Sequence, residues 1–326
     1  MNGLVKLEKT LKSIADVEVL VFEPMKKHTS FGVGGPVDLF LRVASERALI
    51  EVLKVLHKEN CPWMTLGFGT NLLVSDDGLE GAVVQLVGGL GRHVETTGST
   101  MEVAAGYSVQ KLVQTARQSY LSGLECLWGI PGSVGGAVIM NAGTRWGCVA
   151  DTLRAVKVAT KEGSWWIDAE ALNLSYRHCE LPEQAVVVAA RFELCNGLTE
   201  RSEKILSEIM EHRGKNQPKG KGNAGSFFKN PDMAKGIYAG RLIEDAGLKG
   251  FAKGKAFVSP LHANFLSCRR GATAREVLEL ACAVRETVLE RTGIALEPEV
   301  HIVGRNVGEY LERLGLSKGG SHVASR

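Results

Sequence analysis

Four glycines, Gly129, Gly132, Gly135 and Gly136, fall inside the run Trp128-Gly-Ile-Pro-Gly-Ser-Val-Gly-Gly-Ala-Val-Ile-Met-Asn-Ala-Gly143, more than a simple turn needs. Glycine has no Cβ, so its backbone can lie close to another group or take φ > 0. Two readings fit this density: a helix N-terminus pressed against a large flat ligand, or close packing of a helix on a strand. A second cluster, Leu66-Gly-Phe-Gly-Thr-Asn-Leu-Leu-Val-Ser-Asp76, follows a short strand. There, free backbone N–H groups can converge on an anion, although an ordinary β-turn would look similar. The third glycine of the Rossmann fingerprint is missing at its required spacing.

Around these clusters the chain reads as short strands and capped helices. A helix is expected over 4–20, with Leu4, Leu7, Leu11 and Ile14 on one side. Val37–Val43 reads as a strand, and Ser45 as the cap of a helix with the stripe Leu49, Val52, Leu53 and Leu56. Strands are expected at 83–86 and 101–104, then a helix capped by Ser108 and stopped by Gly123. Further strands are expected at 155–160 and 185–193. Near residue 200 this pattern gives way to a helix ending at Gly214. The C-terminal part reads as a helix from Gly236, strands at 256–258 and 263–266, a long helix opened by the Thr273/Glu276 capping box and ended by Gly293, and a last strand over 296–303.

Composition narrows the function. Hydrophobic residues make up 44% of the 326 positions and the formal net charge is +3, so the chain reads as a globular protein without the basic face of a nucleic-acid binder. No apolar run reaches membrane-spanning length, and no signal-peptide core precedes the first helix. Seven scattered cysteines without a Cys-x-x-Cys pair argue for reduced thiols in the cytosol, against a disulfide frame and against structural zinc. His28, His262 and His301 are too dispersed for a metal cluster, so no metal is expected.

Candidate chemistry lies in Gly222–Pro231, GNAGSFFKNP. Ser226 sits in a bend beside two aromatics, one of which should anchor the turn, and just ahead of Lys229 and Asn230. Its hydroxyl could donate a proton or cap a helix. Arg177 could hold a carboxylate with its planar fork and stabilise developing negative charge, or make a surface ion pair. Glu299, beside Pro298, could be an active acid or the partner of a Lys or Arg. Two glycine clusters in one β-rich part and a fixed serine in another suggest a nucleotide cofactor facing a substrate pocket.

Taken together and in order, Thr29-Ser-Phe-Gly-Val-Gly-Gly, the 67–76 loop, the 129–143 block, Ser175-Tyr-Arg177, GNAGSFFKNP and Leu296-Glu-Pro-Glu-Val300 resemble the UDP-N-acetylenolpyruvoylglucosamine reductase (MurB) family. The likeness runs from about residue 25 to 304, and the GNAGSFFKNP and GIPGSVGG blocks are its most specific parts. It implies an α+β fold: a two-part FAD-binding region of the PCMH/vanillyl-alcohol-oxidase type and a C-terminal α+β substrate-binding domain. The expected parts are 1–80 and 81–200 for FAD, 201–305 for substrate with the Glu299 strand returning to the active site, and a disordered tail over 306–326.

The resemblance also implies a monomeric cytoplasmic oxidoreductase of peptidoglycan precursor synthesis. NADPH is the cosubstrate, and hydride passes from flavin N5 to the methylene carbon of UDP-N-acetylglucosamine enolpyruvate. By motif, Ser226 gives the proton, Arg177 holds the carboxylate and Glu299 is the catalytic glutamate. Gly67, Gly69, Thr70, Asn71, Leu72, Gly129, Pro131, Gly132, Ser133, Gly135, Gly136, Asn141, Ala142 and Gly143 are expected around the FAD, and Tyr176, Lys229 and Asn230 at the substrate. The 67–76 loop holds neither His nor Cys, so the FAD is expected to be noncovalent. The spacing from Tyr176 to Ser226 matches the shorter family type, without the substrate-covering insertion. The chain departs from the family pattern at His301 and at Thr144-Arg-Trp-Gly147. A flavin oxidase on the same scaffold, or a nonenzymatic nucleotide binder, are the competing readings, but neither has an evident need for Ser226, Arg177 and Glu299 together.

Overall fold

In the computed structural model, which describes residues 2–218 and 220–316, the fold is α+β. A first sheet has the order Val17–Pro24, Pro36–Val43, Leu79–Leu86, Trp63–Leu66. Its outer pair, Val17–Pro24 with Pro36–Val43, is antiparallel, and the other pairings are parallel. The helix Glu46–Lys58 buries Leu49, Val52, Leu53 and Leu56 in the core beside this sheet, and Ser45 caps it by accepting the Ala48 N–H at 3.3 Å. The expected helix over 4–20 ends sooner, at Lys12, because Asp16 turns left-handed at φ 65° and the apolar run from Val17 pairs as a strand instead. The strand Leu79–Leu86 runs across the expected 80/81 border and stays in the first sheet through its pairing with Pro36–Val43.

A second sheet is antiparallel throughout, in the order Gly163–Asp168, Leu153–Thr160, Val186–Glu193, Thr100–Ala104, Val94–Thr97. The helix Val109–Gln118 packs Val109, Leu112, Val113 and Ala116 into the core on this sheet. It is capped by Ser108 but ends five residues before Gly123: the chain leaves it at Ser119 and turns left-handed at Tyr120, φ 54°.

The helix Glu200–Asn216 leads into the C-terminal part. There a small antiparallel sheet, Ala252–Lys253, Ala256–Val258 and Leu266–Cys268, packs on the helix Ala274–Thr292. That helix has the capping box of Thr273 and Glu276 and a left-handed Gly293 at its end. The helix expected from Gly236 starts at Ala239. The strand expected over 263–266 forms at Leu266–Cys268, since the Asn264 side chain ties that stretch to Phe228 instead.

Two ties bring the C-terminal part onto the 67–76 loop. Asp76 accepts the N–H groups of Ala274 and Arg275, both at 2.9 Å, at the positive end of the long helix. The strand His301–Val303, shorter than the expected 296–303, pairs in parallel with Leu72–Val74. Within the segment expected as a disordered tail, Gly308–Arg313 is a helix, and Leu311 and Leu314 are buried because they fill the apolar face beside the long helix. Positions 317–326 of that segment lie outside the described residues. Among the described residues no helix is long and apolar enough to cross a membrane.

Candidate active site

A cavity of about 890 Å³ lies between the two glycine clusters and the C-terminal part. Ser226, Arg177 and Glu299 all line it.

The Ser226 bend is held from both sides. Phe227 and Phe228 are both buried, at 0% and 1% exposure, where one anchor was expected. Burying two such rings contributes roughly 1.5–3 kcal/mol each. Asn264, itself buried, accepts the Phe227 N–H through its backbone carbonyl at 2.7 Å and the Phe228 N–H through Oδ1 at 3.0 Å, and it donates from Nδ2 to the Phe228 carbonyl at 2.8 Å. On the other side the Phe227 carbonyl accepts from Glu299 N and the Glu297 carbonyl from Lys229 N, each at 2.8 Å. Those bonds lock the Ser226 segment to the Glu299 segment. The Ser226 hydroxyl is half-buried at the cavity wall and has no protein partner among the described residues.

Arg177 sits at φ 57° in a two-residue turn closed by Ser175 and His178, which exchange both backbone hydrogen bonds at 3.1 Å. A left-handed non-glycine residue is uncommon and needs support from its surroundings. Asn141 supplies it, donating from Nδ2 to the Ser175 carbonyl at 2.9 Å while its Oδ1 accepts Ala150 N at 3.0 Å. The Arg177 Nε donates to Glu299 Oε1 at 2.8 Å, with the two side chains only 19% and 13% exposed. Asn71 fixes the other end by donating to the Glu299 carbonyl at 3.0 Å. Burial pushes the Glu299 carboxyl above its ordinary value, and Arg177 and then Lys229 pull against it without overcoming it.

The flavin candidates divide. Gly67, Gly69, Thr70, Asn71, Leu72, Pro131, Gly132, Ser133, Gly135, Gly136, Ala142 and Gly143 line the cavity. The amides of Phe68, Gly69, Thr70, Asn71, Gly132 and Ser133 donate to no protein acceptor among the described residues. They form the kind of cradle that an anionic diphosphate fits. Close packing accounts for part of the glycine content as well: a Cβ on Gly69 would lie 1.9 Å from the His28 carbonyl oxygen, and one on Gly135 would lie 3.0 Å from the Ala105 Cβ. Gly129 and Asn141 stand outside the lining. Gly129 adjoins Arg213, and Asn141 props the Arg177 turn.

Of the substrate candidates, Asn230 lines the cavity. Lys229 pairs with Glu297 at 2.5 Å, and the Tyr176 hydroxyl accepts Asn230 N at 3.3 Å; neither is in the lining. Sequence reasoning missed Asn264, whose only signal is a polar residue inside an apolar run, and it missed the cavity residues His212 and Arg213.

Residues 37–167 match the FAD binding domain family model, and residues 217–303 match that of the UDP-N-acetylenolpyruvoylglucosamine reductase C-terminal domain. The chain is 40% identical over 308 residues to the UDP-N-acetylenolpyruvoylglucosamine reductase of Myxococcus xanthus, covering 94% of this chain and 97% of that one. It is 39% identical to the enzyme of the same name from Syntrophotalea carbinolica, over 92% of this chain and 99% of that one. The crystal structure of the Thermus caldophilus enzyme (MurB) superposes with a TM-score of 0.76 at 38% identity, covering 88% of this chain and 98% of that one.

Proposed function

Because the chain belongs to the UDP-N-acetylenolpyruvoylglucosamine reductase family, we propose that it reduces UDP-N-acetylglucosamine enolpyruvate to UDP-N-acetylmuramate, with NADPH as cosubstrate and noncovalent FAD as carrier. The observation that carries this reading is the meeting of Ser226, Arg177 and Glu299 on one cavity wall beside the unpartnered amides of the 67–76 and 129–143 blocks.

FAD, when bound, supplies the hydride that adds to the methylene carbon of the enolpyruvyl group. The amides of 68–71 and 132–133 would hold its diphosphate, and no His or Cys in the 67–76 loop offers a tether. Arg177 binds the substrate carboxylate, so its fixed positive charge opposes the negative charge that builds there as the double bond is reduced. Glu299 orients that guanidinium through the 2.8 Å bond, and burial, which raises the hold of its carboxyl on a proton, suits it to the role of acid beside the developing enolate. Ser226 then transfers its hydroxyl proton to the carbon bearing the carboxylate and regains a proton from solvent. A half-buried hydroxyl with no protein acceptor among the described residues suits this role better than capping.

Asn230 is assigned to the substrate from the cavity wall, while Tyr176 and Lys229 act behind it through Asn230 N and Glu297. The chain is proposed to work as a cytoplasmic monomer acting on small molecules. The test is an absorbance titration of the purified protein under anaerobic conditions. NADPH should bleach the flavin, and the enolpyruvyl substrate should restore its colour with formation of UDP-N-acetylmuramate. A flavin that NADPH reduces but only oxygen reoxidises would overturn the reading.

A further inference from the structure

Two guanidinium groups in the cavity are not used by the chemistry above. Arg213, on the helix Glu200–Asn216, lines the cavity, and its side chain has no hydrogen bond or ion pair among the described residues. Gly129, left-handed at φ 75°, makes room for it: a Cβ there would lie 2.6 Å from the Arg213 Nε. Partial burial lowers the affinity of Arg213 for its proton, so its charge is partly desolvated with no side-chain partner among the described residues.

Arg145, exposed on the Thr144–Gly147 loop, lines the same cavity, with its guanidinium 4.1 Å over the Trp146 ring. Trp146 is fixed in turn, by an Nε1 bond to Glu208 at 2.9 Å and an edge contact with His212 at 5.9 Å. The two arginines act on His212 together: after burial, they are what disfavours its protonation. The local field is therefore positive, and the nearby carboxylate Glu208 is engaged with the tryptophan.

We propose that Arg145 and Arg213 form a phosphate clamp for an incoming nucleotide, with Trp146 as the platform that aims Arg145. A half-buried cation without a carboxylate partner among the described residues suits a site whose anion arrives with the ligand, and a guanidinium fork suits phosphate. The occupant is a phosphate of the reductant or of the uridine diphosphate substrate rather than that of the resident FAD. The unpartnered amides at 68–71 and 132–133 already supply a cradle for the FAD, and Arg145 stands exposed at the rim. This rests on the proposed function, since both incoming ligands of that reaction carry a diphosphate.

The test uses FAD-loaded enzyme and the variants Arg145→Gln, Arg213→Gln and Arg213→Lys. Arg201→Gln serves as control, an exposed residue of the same helix outside the cavity lining. Calorimetry gives Kd for inorganic pyrophosphate, uridine diphosphate and NADP⁺, and steady-state kinetics give KM and kcat for both substrates. Each Gln variant should weaken pyrophosphate binding by about tenfold or more, as losing a charge-assisted contact does. FAD content should stay near that of the parent, Arg213→Lys should recover part of the affinity, and Arg201→Gln should match the parent in affinity and in turnover. A matching shift for uridine diphosphate or for NADP⁺ identifies which ligand brings the phosphate, and either result supports the clamp. Unchanged Kd values, or a loss of FAD with unchanged Kd values, overturn it. If Arg213→Gln does not fold, the exposed Arg145→Gln decides. Pyrophosphate binding does not depend on turnover, so a chain that fails to reduce the enolpyruvyl substrate yet shows these shifts disproves the proposed function and not the clamp.

Discussion

Replacing Arg177 with methionine should destabilise the protein in a strongly pH-dependent way. The guanidinium lies 2.8 Å from Glu299, and both side chains are mostly buried. Removing one partner of such a pair costs about 3–5 kcal/mol when the other stays charged. Glu299 can avoid that by taking up a proton, because burial already raises its carboxyl above 4.5 and Arg177 is the stronger of the two groups opposing the rise. Without Arg177 only Lys229 still pulls downward, so the folded-state value climbs further.

A carboxyl that holds its proton more tightly when folded favours the fold most at pH below 4.5. That contribution is lost as pH rises from there through the folded value, at about 1.4 kcal/mol per unit of difference. The methionine variant has the wider window. Its deficit relative to the parent should be about 1 kcal/mol near pH 5, where mainly a hydrogen bond is missing, and about 3 kcal/mol or more near pH 8. Urea unfolding of both proteins at the two pH values measures this directly. An equal deficit at both would refute the claim that Glu299 is a buried carboxyl held down by Arg177. Flavin reoxidation by substrate should also fail in this variant at either pH, because no cation remains for the carboxylate.

Other consequences follow from single positions. Gly69→Ala places a methyl 1.9 Å from the rigid His28 carbonyl at a left-handed φ of 62°; it should lower stability by about 1–3 kcal/mol and reduce the flavin retained through gel filtration, and full retention would contradict the packing argument. Phe227→Ala, at a fully buried site, should lose about 3–5 kcal/mol in chemical denaturation, and a loss below about 1 kcal/mol would show that this ring does not anchor the serine bend. If the protonated Glu299 carboxyl assists the reaction, the substrate-driven step should slow as pH rises through its raised value above 4.5. Glu299→Gln, which cannot titrate, should flatten that limb of the profile.

The parts legible in the sequence are those that local chemistry determines. Ser45, Ser108 and Thr273 cap helices as expected, because a hydroxyl just ahead of an apolar stripe satisfies free N–H groups whatever lies further away. The three reactive candidates were legible as motifs, yet their shared cavity wall depends on strand pairings such as His301 with Leu72, and no local pattern encodes those. The expected helix over 4–20 failed at its second half, where Val17–Pro24 gains an antiparallel partner and pairing overrides helical periodicity. Asn141 illustrates the same limit: its motif points to flavin, while the folded chain uses it to hold the strained turn of Arg177. Arg213 was invisible as a site residue because its only signal is the missing Cβ of a glycine more than eighty residues away in sequence.

The central claim is that one hydroxyl protonates carbon after hydride has been delivered, and stopped-flow measurement of the two half-reactions of Ser226→Ala tests it most directly. Reduction of the bound flavin by NADPH should proceed at the rate of the parent, while reoxidation by the enolpyruvyl substrate should slow by a factor of about 10² or more. Equal slowing of both half-reactions, or none in the second, would contradict the account.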